Sequence, residues 1–410
     1  MTKGTAVLRQ QNEKRVLAFL RKERISSRLD IARHLKISKN TVSLIVEKYI
    51  KQHIIQEVGT NETSTAGRPK IKIRIIPNSL KSVGILIQHN QGYLVVTDYY
   101  SRVIDSEIFT LDTSEPGRCL DEIGRRTAAL LSKHPETLGV GVGMPGIVNP
   151  DKGFVHYSSH LGWSDVDVSQ LLSLHISLPL QVMNNVKASA LATLQQLETE
   201  TADSTFYIRI DEGVGGAFLI RDKLHFGGSW TAGEVGHLMI DPTGPLCQCG
   251  RKGCLEALIR TKAVRQRLQQ LEAAAEYSEG EASSNTGSDA HVSPWGNAVT
   301  DRNTEDKSVL IDAPLNAWEG LTPEERVYTE VGQYLSTALT HIIHLCNPKQ
   351  IVIDSPYGDS EHFKQITMRL TQGNTLRFPY EHTDILFVRN RENPAVGAAL
   401  SVIQNFENYE

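Results

Sequence analysis

Cysteine is scarce in this chain and long hydrophobic runs are missing. Only five cysteines occur in 410 residues, and three of them crowd into eight positions. That is not how a disulfide framework is distributed, and a reducing compartment fits them better. No apolar run approaches the roughly 18 residues that a bilayer span needs, and the polar start MTKGTAVLRQQNEKR has no hydrophobic segment behind it. Neither an anchor nor a signal peptide is expected, and the chain reads as cytoplasmic. One ordinary domain is too few for this length; two or three are expected, with room for a sizeable core.

The net charge of -4 conceals an asymmetry. Residues 1–74 hold 17 Lys+Arg against 6 Asp+Glu, a balance of +11, which leaves 26 against 41, or -15, for the remainder. A basic terminal module on an acidic body is the footprint of a nucleic-acid-binding head on a regulatory or catalytic domain.

The basic end also carries a binding fold. Residues 9–23 place Val16, Leu17 and Leu20 on one helical face, and Arg28 to Leu35 forms a short second helix. Ser38 can cap a third helix, Lys39 to Ile50, whose Val42, Ile45, Val46 and Ile50 recur at core spacing. This is a helix-turn-helix whose recognition helix presents Lys39, Asn40, Thr41 and Ser43 to base edges and phosphates. Ile54, Ile55 and Val58 predict one strand and Ile71 to Arg74 another, with Gly67-Arg68-Pro69-Lys70 between them. The pair makes a wing, with Arg68 and Lys70 suited to the minor groove or the phosphate backbone. The winged helix-turn-helix is expected to span 1–76 and a short linker 77–81.

The densest chemistry lies at Gly233 to Glu256, GEVGHLMIDPTGPLCQCGRKGCLE. His237 with Cys247, Cys249 and Cys254 is the His-plus-three-Cys set that tetrahedral zinc prefers, and Pro245, Gly250 and Gly253 make the run turn-rich. Four protein ligands leave no open position for a catalytic water, so such a metal would be structural. Glu234 and Glu256 flank the set, and carboxylates held this way suit sugar hydroxyls.

G-E-x-G-H followed by C-x-C-G-x-x-G-C-L-E resembles the signature of the ROK family of repressors, open reading frames and sugar kinases, without a substitution. The resemblance implies a two-lobed actin-like (ribonuclease H-like) α/β domain over 82–410, and sugar contacts from Glu234, His237 and Glu256. Strands at Ser82 to Ile87, Tyr93 to Asp98 and Val103 to Thr110, a helix near Cys119 to Lys133 and a strand at Leu138 to Gly143 fit its first lobe. The family's sugar-side motifs persist in Gly141 to Val148 and in Leu161-Gly162-Trp163, with His160 where the family has Asn. Trp163 reads equally as a stacking platform or as core.

The family's kinase parts are altered. The run Gln88-His89-Asn90-Gln91 stands where the glycines of D-x-G-G-T-K would wrap phosphate, and Asp211-Glu212 puts two carboxylates into the second phosphate turn. Asp354-Ser355-Pro356 replaces the third, a Gly-Gly turn. Phosphoryl transfer to a sugar needs an Asp to accept the hydroxyl proton; here Asn184-Asn185-Val186 stands in that place, and an amide can contact a sugar but cannot take its proton.

Residues 277–308, rich in Ser, Gly, Asn, Asp and Glu, read as a disordered insertion. The expectation is therefore a sugar-responsive repressor, dimeric or tetrameric, binding an operator duplex and an inducer, with xylose as the first candidate sugar. Its rivals are a sugar kinase with a DNA-binding head and a repressor governed by a protein partner.

Overall fold

The computed structural model of the protein describes residues 3–60, 71–197, 202–281, 320–389 and 393–408. Arg68, Lys70 and residues 282–308 of the expected insertion lie outside them. The fold is mixed α/β, and the chain divides into two compact units, residues 1–198 with 392–410 and residues 199–391.

The first unit opens with α1 (Lys3–Glu23), the two-residue β1 (Ser26–Ser27), α2 (Arg28–Leu35) and α3 (Lys39–Lys51). The helix starts are set by short polar side chains. The Ser27 hydroxyl accepts from the Asp30 backbone N–H and the Ser38 hydroxyl from that of Thr41, each satisfying a donor the helix cannot. β2 (Ile55–Thr60) and β3 (Ile71–Ile75) come next, and β3 lies between β1 and β2 in an antiparallel sheet. The segment expected as a linker is ordered: Pro77–Ser79 makes one 3-10 turn and Lys81 already pairs in the next strand. Val16, Leu20, Ile31, Val46 and Ile73 share one apolar cluster with Tyr99, Tyr100 and Ile403, so the head and the rest of the first unit have a core in common.

The sheet of the first unit comprises β4 (Lys81–Gln88), β5 (Gln91–Asp98), β6 (Val103–Thr110), β7 (Thr137–Met144) and β11 (Leu180–Asn184). Between these come α4 (Pro116–Lys133), the small antiparallel sheet of β8 (Ile147–Asn149), β9 (Phe154–Ser158) and β10 (Trp163–Asp167), and α5 (Val168–Ser173). Helix α6 (Asn185–Gln196) leaves β11 directly. The main order is β11-β7-β4-β5-β6, with β4, β5 and β6 antiparallel and β4, β7 and β11 parallel. The C-terminal helix Pro394–Glu407 returns to this unit and is buried along most of its length. Glycine permits its close approach: a Cβ on Gly141 would lie 1.9 Å from the Ala398 carbonyl oxygen, and one on Gly397 would lie 1.8 Å from that of Ala188 in α6.

The second unit repeats the topology. β12 (Ser204–Ile210), β13 (Val214–Ile220) and β14 (Lys223–His225) are antiparallel neighbours. After α7 (Leu255–Ile259), α8 (Thr261–Glu281) and α9 (Pro323–Cys346) come β15 (Gln350–Asp354), α10 (Glu361–Asn374), α11 (Arg377–Glu381) and β16 (Asp384–Val388). The order β14-β13-β12-β15-β16, with β12, β15 and β16 parallel, duplicates that of the first unit. Thr322 and Glu325 form a reciprocal capping box at the start of α9. Helix α8 runs to Glu281, so residues 277–281 are helical rather than part of a disordered insertion.

Candidate functional site

On α3, Val42, Ile45, Val46 and Tyr49 face the core, and Asn40, Leu44, Glu47 and Lys51 succeed one another on the opposite, exposed face. Lys39 is exposed beside Asn40, while Thr41 and Ser43 are half-buried. The Thr41 hydroxyl lies 2.8 Å from that of Ser38, which makes Thr41 part of the cap. The sequence reading missed Leu44 and Glu47; their spacing from Asn40 could have found them.

Among the residues expected at the sugar, Asn184 ends β11 and caps α6. Its Oδ1 accepts from the Val186 backbone N–H at 2.8 Å and its Nδ2 donates to the Gly146 carbonyl at 2.9 Å. The Met144-Pro145-Gly146 turn is thereby pinned to the start of α6. Asn185 is the first residue of that helix, and its side-chain amide has no partner among the described residues. His160 is exposed, with Nδ1 3.4 Å from the Ser159 hydroxyl. Trp163 is core: it is 1% exposed and its indole N–H donates to the Thr113 carbonyl at 2.8 Å, which excludes it as a stacking platform. The run Gln88-His89-Asn90-Gln91 is a tight hairpin between β4 and β5, with Asn90 at φ 56° and its Nδ2 3.1 Å from His89 Nε2.

The knuckle lies wholly in the second unit. A 3-10 turn, Val235–His237, presents His237, and the bridges Met239–Cys254 and Leu246–Lys252 fold the cysteine run back toward it. Gly253, at φ 67°, passes so near the Asp241 carbonyl that a Cβ would lie 1.4 Å from its oxygen. One donor atom each from His237, Cys247, Cys249 and Cys254 can be chosen so that all four lie within 4.8 Å of one another. The Cys247 Sγ to His237 Nδ1 distance is 3.8 Å and Cys249 Sγ to Cys254 Sγ is 3.6 Å. A tetrahedral centre with metal–sulfur bonds of about 2.3 Å has sulfur–sulfur edges of about 3.8 Å, so the cluster can hold a metal ion.

The three sulfurs sit in different electrostatic surroundings. The Arg251 backbone N–H donates to Cys249 and lowers its pKa, whereas burial raises that of Cys247 and pushes Cys254 up to about 12. Three such sulfurs become thiolates together only when a positive charge compensates them.

Glu256, the second residue of α7, is buried. Its Oε2 accepts from the Val214 backbone N–H at 3.1 Å and its Oε1 lies 3.8 Å from Cys247 Sγ, so it ties the knuckle to the Gly213-Val214 turn. Glu234 is exposed and its carboxylate has no partner among the described residues. Near the same turn, Asp211 pairs with Arg209 at 3.0 Å, and the buried Asp354 accepts from the Tyr207 hydroxyl at 2.6 Å.

Residues 93–405, about three-quarters of the chain, match the ROK family. The chain belongs to that family. It is similar to the xylose repressor of Bacillus subtilis (strain 168), with 23% identity over 403 residues, 96% of this chain and 95% of that protein. It is also similar to the DNA-binding transcriptional dual regulator NagC of Escherichia coli (strain K12), with 25% identity over 332 residues, 80% and 76% of the two chains. Among solved structures, a ROK family transcriptional regulator described as a homologue of the E. coli MLC protein covers 98% of this chain and 97% of its own at TM-score 0.75 and 19% identity. A ROK hexokinase from Thermus thermophilus covers 80% of this chain and 99% of its own at TM-score 0.59 and 18% identity. At these identities the two structures show the fold alone.

Proposed function

We propose that this ROK protein is a sugar-responsive, DNA-binding transcriptional repressor of carbohydrate-utilisation genes. Its three-helix head with the β1-β3-β2 sheet is a winged helix-turn-helix that grips operator DNA through Lys39, Asn40, Thr41 and Ser43, together with Arg68 and Lys70. One observation carries this reading: the likeness to a protein named a xylose repressor runs through 96% of the chain, head included, whereas the hexokinase covers only 80%.

The inducer is a sugar or sugar phosphate, xylose first among those to test, and the effector residues are His160, Asn184, Asn185, Glu234, His237 and Glu256. Asn185 and Glu234 have polar groups with no partner among the described residues and would make the strongest contacts. Asn184 and Glu256 are already engaged and would act mainly by holding their turns in place. The metal is structural Zn2+ on His237, Cys247, Cys249 and Cys254, which fixes His237 and Glu234 rather than taking part in a reaction. A dimer or tetramer would bring two heads to a two-fold operator. Ligand need only prefer one arrangement by a few kcal/mol to vacate the site.

The shared hexokinase fold favours a second reading, a kinase with a DNA-binding head. Against it stand the amide of Asn185 where a base is required, the closed hairpin at Gln88 to Gln91, and the engaged carboxylates of Asp211 and Asp354. The purified chain decides the matter in two assays. Fluorescence anisotropy on duplexes from its own upstream region is titrated with xylose, glucose, N-acetylglucosamine and their phosphates, and a coupled assay follows ATP with the same sugars. Sugar-dependent release without ATP turnover is expected. Turnover above background would establish the kinase, and silence to every sugar would transfer control to a protein partner.

A further inference from the structure

The exposed face of α3 carries a side chain that neither capping nor the core explains. Leu44 is 64% exposed, centred in the stripe Asn40, Leu44, Glu47 and Lys51, opposite Val42, Ile45, Val46 and Tyr49. Beside it Glu47 is exposed and in no ion pair among the described residues. Neither side chain suits a phosphate, since leucine has no donor and a carboxylate is repelled.

Both suit the floor of a major groove. The thymine C5 methyl is the apolar group displayed there, and the cytosine amino group donates to a carboxylate. Lys39, exposed beside Asn40, and Lys51, at the far end of the stripe, leave cations for the phosphates on either side. The +11 balance of residues 1–74 draws this face toward a polyanion.

Resting on the DNA-binding reading above, we propose that Leu44 is a specificity-determining residue that reads the C5 methyl of a thymine in each operator half-site. An apolar side chain at this point discriminates by desolvation: it gains where a methyl meets it and gains nothing from a bare pyrimidine edge.

The test uses the full chain. Selection from random duplexes yields its preferred operator, and each thymine is then replaced singly by deoxyuridine, which lacks the methyl. At one symmetric position the wild type should lose about fourfold in affinity per half-site, the effect of burying one methyl group. Leu44→Ala should bind the thymine and uracil duplexes alike there, with its melting temperature unchanged because Leu44 is 64% exposed. Indifference of the wild type to every replacement overturns the assignment while DNA binding stands, and so does an undiminished thymine preference in Leu44→Ala. A changed oligomeric state of Leu44→Ala in sedimentation would give Leu44 to a contact between copies and overturn it too. Failure to select any duplex sinks the DNA-binding reading itself and the assignment with it.

Discussion

Arg21 and Glu407, 386 residues apart in the chain, are clasped by two hydrogen bonds, Nε to Oε1 at 2.8 Å and Nη2 to Oε2 at 2.7 Å. The Tyr99 hydroxyl donates to the same Oε1 at 2.8 Å; burial next to Glu407 pushes its pKa well above the usual range, so it remains a donor. Lys14 adds a hydrogen bond to the Asn408 carbonyl at 2.9 Å. The first helix of the head is thus fastened to the last helix of the chain. That last helix lies at backbone contact on α6, whose first residue is Asn185. Under the proposed sugar contact at Asn185, a shift of α6 would meet the last helix and, through it, the head.

Glu407→Gln tests that path. The substitution keeps the shape but removes the charge from a two-hydrogen-bond pair in which Glu407 is 6% exposed. Loss of the carboxylate charge opposite Arg21 should cost about 2–4 kcal/mol of unfolding free energy. In a double-mutant cycle with Arg21→Gln the two losses should be strongly non-additive. The sugar response of operator binding should shrink while intrinsic DNA affinity remains. A melting curve and a sugar response that both match wild type would refute the link.

Metal removal should act on the second unit. Metal analysis of the purified chain should give about one zinc per chain, lost in Cys249→Ser and kept in Cys346→Ser, whose exposed thiol lies outside the cluster. Chelation should lower the melting temperature, because a ligand held only by the folded state stabilises it by mass action. Reduced protein free of zinc and melting as before would remove the metal from the account.

Glu234 and Asn184 should separate binding from stability. Glu234 is exposed and has no partner among the described residues, so Glu234→Gln should leave the melting temperature within error yet weaken sugar binding about 10- to 100-fold, the usual effect of a lost charged hydrogen bond. Asn184→Ala removes a helix cap and the tie to Gly146, and should cost about 1–2 kcal/mol of stability as well. Calorimetric titration and thermal melting of both variants check this. Equal behaviour of the two would mean that their different surroundings do not matter.

Much of this was legible in the sequence, for identifiable reasons. Ser38 announced the start of α3, and strict alternation or 3.6-residue spacing announced many of the elements; the matching cap by Ser27 was not read. The grouping of His237 with Cys247, Cys249 and Cys254 was legible because such residue types at such spacings are what coordination chemistry selects. Trp163 was not, since nothing local reveals that the Thr113 carbonyl, 50 residues away, awaits its N–H. Nor was the Arg21–Glu407 clasp, because pairing across 386 residues leaves no periodic trace. The end of α8 was misjudged because Ser278 and Gly280 are poor helix formers, yet the helix continues to Glu281.

Lys39 provides the last test, because it distinguishes contact with phosphate from contact with bases. It is exposed at the start of α3, with no ion pair among the described residues, on a segment of balance +11. Operator affinity of the wild type should fall steeply with salt, since each neutralised phosphate releases a condensed counterion. Lys39→Ala should weaken binding to every duplex by a similar factor and reduce the slope of log affinity against log salt by about 1. Leu44→Ala, which removes no charge, should leave that slope alone while changing the order of preferred sequences. A wild-type affinity that is flat from low to physiological salt would mean that the +11 head does not hold DNA by its phosphates, and the assignment of α3 and the wing would fall.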